Sequence, residues 1–144
     1  MSEVILSQTD TTVGFLSQDA DKLYEIKSRK NTKPFIKVYS TFHDFLSTNN
    51  RVPNKFKNIV RRSKKTTFIV NNRAFRIAKP ILNSQILRDL KWHYSTSANE
   101  TGKNYERTFC EKKADIIIEN KNGLYEHSSS SLIKLSQTKR RKLR

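Results

Sequence analysis

The spacing of apolar positions changes period several times along the chain. Val4–Ser7 is a short apolar run that predicts a first strand, followed by the polar turn QTDTT and a return to apolar residues at Val13 and Phe15. Asp19 is placed to cap a helix reaching about Lys27, with Ala20, Leu23 and Tyr24 on its inner face. The basic, breaker-rich stretch KSRKNTKP separates that helix from PFIKVY, an alternating strand. Thr41, with Asp44 three residues on, resembles a capping box for a helix over residues 42–48. Pro53 suits the first position of another helix, whose Phe56, Ile59, Val60 and Ser63 share a face opposite Lys57, Arg61, Lys64 and Lys65.

TTFIVNNRAFRIA reads as a hairpin, because Asn71-Asn72 tolerate the positive φ of a tight two-residue turn and the flanks alternate. Ile81, Leu82, Gln85, Ile86 and Leu90 predict a helix from Pro80 to about Leu90. The cluster YSTSANETG follows that run, at a strand-to-helix or strand-to-loop junction. IIIE within Ala114–Glu119 and SSLIKL from Ser130 predict two more strands, and TKRRKLR predicts a basic tail. Strands and helices alternate without a regular βαβ rhythm, so the expected fold is an α/β domain with a mixed sheet.

At 144 residues the chain predicts one domain spanning 1–144, with a basic end at 138–144. Lys and Arg number 29 against 13 acids, a formal charge of +16. A field of that sign attracts nucleic acid, nucleotides or anionic lipid, and says nothing about fold. The lone Cys110 has no disulfide or CxxC partner, and His43, His93 and His127 lack metal-ligand spacing, so each reads as a surface or core histidine. No apolar run approaches the ~20 residues of a membrane span, and MSEVILSQTD lacks the long apolar core of a signal peptide, so a reducing cytoplasmic setting with no membrane partner is expected.

Three pieces bear on chemistry. In an extended KSRK, Lys27 and Arg29 would point to the same side and clamp an anion, Arg adding a planar fork; the plain alternative is a solvated basic loop. The hydroxyls and amide of YSTSANETG suit phosphate or carboxylate oxygens, and Gly102 permits a sharp turn; the plain alternative is a capping turn. Thr9, Asp10 and Thr11 lie at the carboxyl edge of the first strand, where open α/β sheets often bind ligands. No Walker loop and no GxGxxG is present.

In this order the pieces resemble the YrdC family, best known as threonylcarbamoyl-AMP synthases. Lys27-Ser28-Arg29 and Ser97-Ala98-Asn99 resemble its Lys-x-Arg and Ser-x-Asn signature. Thr9-Asp10-Thr11 with Gly14, Lys33-Pro34-Phe35-Ile36, Thr66 or Thr67, Arg76, Thr101-Gly102, Ser130-Ser131 and Leu143-Arg144 are similar to further family positions, collinear along nearly the whole chain. The segment between Gly14 and Lys27 is shorter than usual. Val13 stands for a family tyrosine, Lys30 for a proline, Val38 for a common histidine, and Arg62-Ser63-Lys64-Lys65 for Pro-Gly-Pro.

The resemblance implies a twisted mixed sheet flanked by helices around a basic concave pocket. It implies a nucleotidyltransferase that converts L-threonine, bicarbonate and ATP to threonylcarbamoyl-adenylate and pyrophosphate, for threonylcarbamoyladenosine in tRNA. By that likeness Lys27 and Arg29 would be catalytic. Thr9, Asp10, Thr11, Thr67, Arg76, Ser97, Asn99, Ser130 and Arg144 would bind substrates, and Mg²⁺ would arrive with ATP. A tRNA-threonylcarbamoyl transferase would receive the product. The competing reading is a catalytically degenerate relative that binds nucleotide or structured RNA, tRNA included, through Pro53–Lys65 and Lys139–Arg144.

Overall fold

A computed structural model describes residues 2–28 and 34–144. Arg29, Lys30 and Lys33, which the resemblance invokes, lie outside the described residues. Strand β1 (Ile5–Gln8) turns through Thr9–Thr12 into β2 (Val13–Ser17), and helix α1 (Ala20–Lys27) follows. β3 (Ile36–Tyr39), α2 (Phe42–Ser47), a 3-10 turn (Asn54–Phe56) and α3 (Lys57–Arg62) lead to the hairpin β4 (Thr66–Val70) and β5 (Arg73–Ile77). α4 (Gln85–Asp89), β6 (Trp92–Ser97), α5 (Arg107–Lys113), β7 (Ile116–Ile118), β8 (Ser131–Leu135) and β9 (Arg140–Lys142) complete the order.

The nine strands form one mixed sheet in the order β7-β1-β2-β6-β3-β5-β4-β8-β9. Pairs β1–β7, β3–β5 and β4–β8 are parallel, and the others are antiparallel. β1 is buried on both faces, so its successive residues serve different cores. Leu6 joins Phe15, Leu23 and Cys110. Ile5 joins Leu16, Leu82 and Leu87. A third cluster, with Phe45, Val60, Phe68 and Phe75, extends the Leu6 side. Four helices thus cover one face of the sheet, and the short α4 covers part of the other. That second face is left room for a pocket.

Local signals set most boundaries. The Asp19 carboxylate accepts from Asp21 N at 3.1 Å and starts α1. Thr41 Oγ1 accepts from Asp44 N at 3.0 Å and starts α2. Asn71 and Asn72 adopt φ of 51° and 64°, the primed turn that the hairpin needs.

Several expectations are corrected. The helix predicted from Pro80 begins only at Gln85, where the Ser84 hydroxyl caps it. Residues 80–84 turn instead, Ile81 and Ile86 stay exposed, and Leu82, Leu87 and Leu90 fill the core. Pro53 caps the 3-10 turn rather than opening a helix. The run ending in YSTS is strand β6, hydrogen-bonded between β2 and β3, with Ser97 at its end. TKRRKLR is not a free tail, because Arg140–Lys142 pairs with β8 as an edge strand. Lys27 is not in an extended segment; it ends α1, and Ser28 closes the helix at φ 47°. The same-side argument for Lys27 and Arg29 therefore fails.

Candidate functional site

Lys27 lies one helical turn beyond Leu23, a fully buried core residue, so its side chain is carried inward on the same helix face. It is 5% exposed. Its Nζ donates to Ser97 O at 2.9 Å, Asn99 O at 3.0 Å and Asn99 Oδ1 at 2.8 Å. Ser97 Oγ donates to the same Oδ1 at 2.7 Å. Asn99 Nδ2 donates to Lys103 O at 2.6 Å, and Thr101 Oγ1 donates to Lys27 O. The loop after β6 is thus wound around one ammonium. Lys27, Ser97 and Asn99, which the resemblance groups together, are in direct contact. Behind them, burial pushes the Cys110 thiol up, which keeps it a protonated core group.

A second cluster forms around Arg76, in the interior of β5. Register places Arg76 beside Val38 of β3 and Thr67 of β4. The side chain of Arg76 is 7% exposed; its Nη2 donates to Asp10 Oδ1 at 2.5 Å and its Nη1 to Thr11 Oγ1 at 3.2 Å. Its buried Nε has no protein partner. Thr9 shapes the turn that presents Asp10: its hydroxyl donates to Thr12 O at 2.6 Å and accepts from the Thr11 and Thr12 amides at 3.2 Å each. Nearby, the buried hydroxyls of Thr67 and Ser130 share a 2.6 Å hydrogen bond. Arg144 Nε donates to Ser130 O at 3.0 Å.

The Thr9–Thr12 turn lies between the two clusters. Thr11 reaches Arg76, while Val13, just after the turn, accepts from Ala98 N at 2.9 Å through its carbonyl. Gly14 pairs with Ser97 across β2 and β6. A Cβ at Gly14 would lie 3.2 Å from Thr96 O and 3.5 Å from Thr9 Cγ2, so glycine lets the turn and β6 approach closely.

Space opens at Arg76. Ser7, Thr9, Asp10, Arg76, His93 and Ser95 line a narrow cavity of about 30 Å³, enough for about two waters. Asp10, Ala78, Lys79 and Ile81 also line a cleft of about 800 Å³ bounded by Thr41, Arg61, Arg62, Lys64 and Lys65, in the size range of small-molecule sites. Neither space is lined by Lys27, Ser97 or Asn99. Cations dominate the wide cleft, and Asp10 is its carboxylate.

His93 was not singled out by its spacing, yet it faces this cavity. Burial, with a smaller contribution from the Arg76 charge, lowers its pKa to about 4, so the imidazole is neutral near pH 7. It lies directly across from Val38 in the β3–β6 register. Val38 is where the resemblance places a common histidine; the neighbouring strand carries one here. Lys79 was also passed over, being an ordinary surface lysine by type.

No family model matches the chain, and no curated protein matches it by sequence. Solved structures do. Sua5 of P. abyssi complexed with L-threonine superposes with a TM-score of 0.76 at 17% identity, over 99% of this chain and 50% of that one. E. coli YciO gives 0.75 at 18% identity, over 99% and 82%. Full-length HypF in a phosphate- and nucleotide-bound form gives 0.75 at 12% identity, over 99% and 26%. This chain spans about half the length of the Sua5 structures. At these identities the likeness shows the fold: a mixed sheet flanked by helices, of the kind the sequence resemblance implied.

Proposed function

We propose that the chain is an L-threonylcarbamoyl-adenylate synthase of the YrdC type. The observation that carries this reading is the hydrogen-bonded contact of Lys27 with Ser97 and Asn99. Two motifs 70 and 72 residues apart, picked out for their chemistry and joined by the resemblance, share one ammonium. The superposition with a Sua5 that binds L-threonine, and with a HypF in a phosphate- and nucleotide-bound form, supports it.

In this reading the threonine amine adds to the bicarbonate carbon, water leaves, and a carbamate forms. A carbamate oxygen then attacks the α-phosphorus of ATP, and pyrophosphate departs with the electron pair of the broken P–O bond. The protein's task is to hold two anions together. Lys27 fixes the Ser97–Asn99 loop and places a positive charge beneath it. Ser97 and Asn99 orient carbamate or phosphate oxygens from that loop. Arg76 offers its unpartnered Nε to a carboxylate or phosphate oxygen, and Thr9, Asp10 and Thr11 frame the same ligand. Thr67 and Ser130 present hydroxyls to it, held from behind by Arg144. The wide basic cleft takes the polyphosphate. Mg²⁺ comes with the nucleotide, because the carboxylate at the cleft, Asp10, is occupied by Arg76.

The test is pyrophosphate release from ATP and bicarbonate by the purified chain, with and without L-threonine. Release that depends on threonine supports the synthase. A folded protein that binds ATP and releases nothing overturns it and leaves a nucleotide-binding relative without turnover.

A further inference from the structure

The helix layer on one face of the sheet has a gap at the middle strands. Val38 and His93 line the Arg76 cavity, so their chain neighbours Lys37, Tyr39, Trp92 and Tyr94 point to the opposite face. Register sets Lys37 beside Tyr94 and Tyr39 beside Trp92. α1 covers the Leu23 cluster on one side of this patch, and α2 covers the Phe45 cluster on the other. Two hollows remain between them, of about 280 and about 550 Å³, and Tyr94 lines both. Trp92 and Tyr94 are therefore half-buried, although β6 is interior to the sheet and interior strands are ordinarily covered on both faces.

The strip is charged at its centre and at both ends. Lys37 Nζ lies 4.1 Å from the Trp92 ring centroid, 5.6 Å from that of Tyr39 and 5.8 Å from that of Tyr94. The three rings cradle its ammonium. Asp19 and Asp21, where β2 passes into α1, line the larger hollow, and no cation is among its described lining residues. Arg73, exposed on β5, lines the smaller one with Lys37, and no acid is among its described lining residues. Neither Lys37 nor Arg73 forms an ion pair among the described residues. The strip thus runs from an acidic end, over aromatic rings, to a basic end.

We infer that this strip is a docking groove for one amphipathic helix of a partner protein, with the helix N-terminus at Asp19 and Asp21 and its C-terminus at Arg73. The floor selects a helix. β3 and β6 are paired on both sides, so an added strand finds no backbone groups and the occupant must satisfy its own. The charges select its direction. A helix presents its positive end to the two aspartates and its negative end to Arg73, and an acid in its last turn meets Lys37 and Arg73. The span fits a short helix. β2 to β5 is three strand spacings, about 14 Å, which is the rise of about ten helical residues. Trp, Tyr and Arg are also the residues that anchor protein interfaces. A second copy fits less well, because a net charge of +16 opposes self-association. The groove lies on the opposite face from Arg76, so the inference does not depend on the synthase reading.

Trp92 is the single tryptophan of the chain, so its emission reports on the groove alone. The probes are two stapled helical peptides of about 14 residues with one leucine stripe. One carries Lys in its first turn and Glu in its last; the other has these charges exchanged, and the staple keeps their helicity equal. The full chain should bind the first with a blue shift of Trp92 emission, at least ~10-fold more tightly than the second. Asp21→Lys with Arg73→Glu, both at exposed positions, should reverse that preference. Arg73→Glu alone gives a smaller change in the same direction if Asp21→Lys impairs α1. Binding of neither peptide, equal binding of both, or a preference that the charge reversal leaves unmoved overturns the inference. A wild-type dimer in sedimentation that the double variant dissolves also overturns it, because the groove then belongs to a second copy.

Discussion

Arg76 and Asp10 form an ion pair of unequal partners, and the inequality predicts an order of mutational effects. The Arg76 side chain is 7% exposed and that of Asp10 is 20%. Asp10→Asn leaves a cation inside the sheet with a neutral amide for company and the Thr11 hydroxyl as its other partner. Removing one member of a buried pair costs ~3–5 kcal/mol, and the partial exposure here brings the expectation to about 3. Arg76→Met leaves the carboxylate at a turn from which it reaches water, and removes the unpartnered Nε as well. That change costs about 1–2 kcal/mol. Urea unfolding of the wild type, both single variants and the double variant at pH 7.5 measures all three quantities. With a slope of ~1.5–2 kcal/mol per molar, Asp10→Asn lowers the midpoint by about 1.5–2 M and Arg76→Met by about 0.5–1.3 M. The double variant falls close to Arg76→Met, a coupling above 1 kcal/mol. A larger loss for Arg76→Met, or additive single effects, would falsify the claim that Arg76 is the desolvated partner.

The remaining predictions concern three other positions. The pKa of His93 is lowered in the fold from 6.5 to about 4, so the unfolded chain binds the extra proton first as pH falls. Its contribution is fully present above about pH 6.5 and is lost toward pH 4, up to about 3 kcal/mol. Denaturant titrations at pH 7 and 4.5 should show a smaller decline for His93→Gln; an equal decline refutes the burial argument. Lys27→Met strands three acceptors, so about 2 kcal/mol of stability and at least ~100-fold of threonine-dependent pyrophosphate release should be lost, measured beside circular dichroism. Full turnover in a folded Lys27→Met protein would remove Lys27 from the site. Asn72→Gly places glycine at φ 64° and should raise Tm by about 1–2 °C in a thermal scan; a fall would contradict the turn geometry.

The features legible in the sequence are the ones set by neighbours along the chain. Asp19, Thr41 and the Asn71-Asn72 pair each bond or bend within a few residues, so their type and spacing are enough. β6 was not legible because Trp92–Ser97 is half-buried up to Thr96, shows no alternation and ends in hydroxyls that read as loop; its strand character comes from β2 and β3 on either side. α5 offers Phe109 and Cys110 as its apolar residues, too few to show a period, and its cap, Glu106, is an uncommon one. β9 is basic throughout, and its pairing with β8 overrides a composition that suggests a tail. Ile81 and Ile86 match helical spacing, but Pro80 and the Ser84 cap delay the helix until Gln85. In the site, the union of Lys27 with Ser97 and Asn99 spans 70 or more residues, and resemblance alone suggested it. The Arg76–Asp10 pair and the closeness of His93 needed the sheet register.

The register of β3 against β6 has a consequence for comparing distant relatives. Val38 and His93 face one another directly, on neighbouring strands of one sheet about 5 Å apart. A ring projecting from either strand enters nearly the same volume. The location of an imidazole is thus a property of the sheet lattice, and the chain can supply it from either of two addresses 55 positions apart (93 − 38). Column-by-column comparison scores such an exchange as a loss, although an imidazole from β6 still lines the cavity beside Arg76.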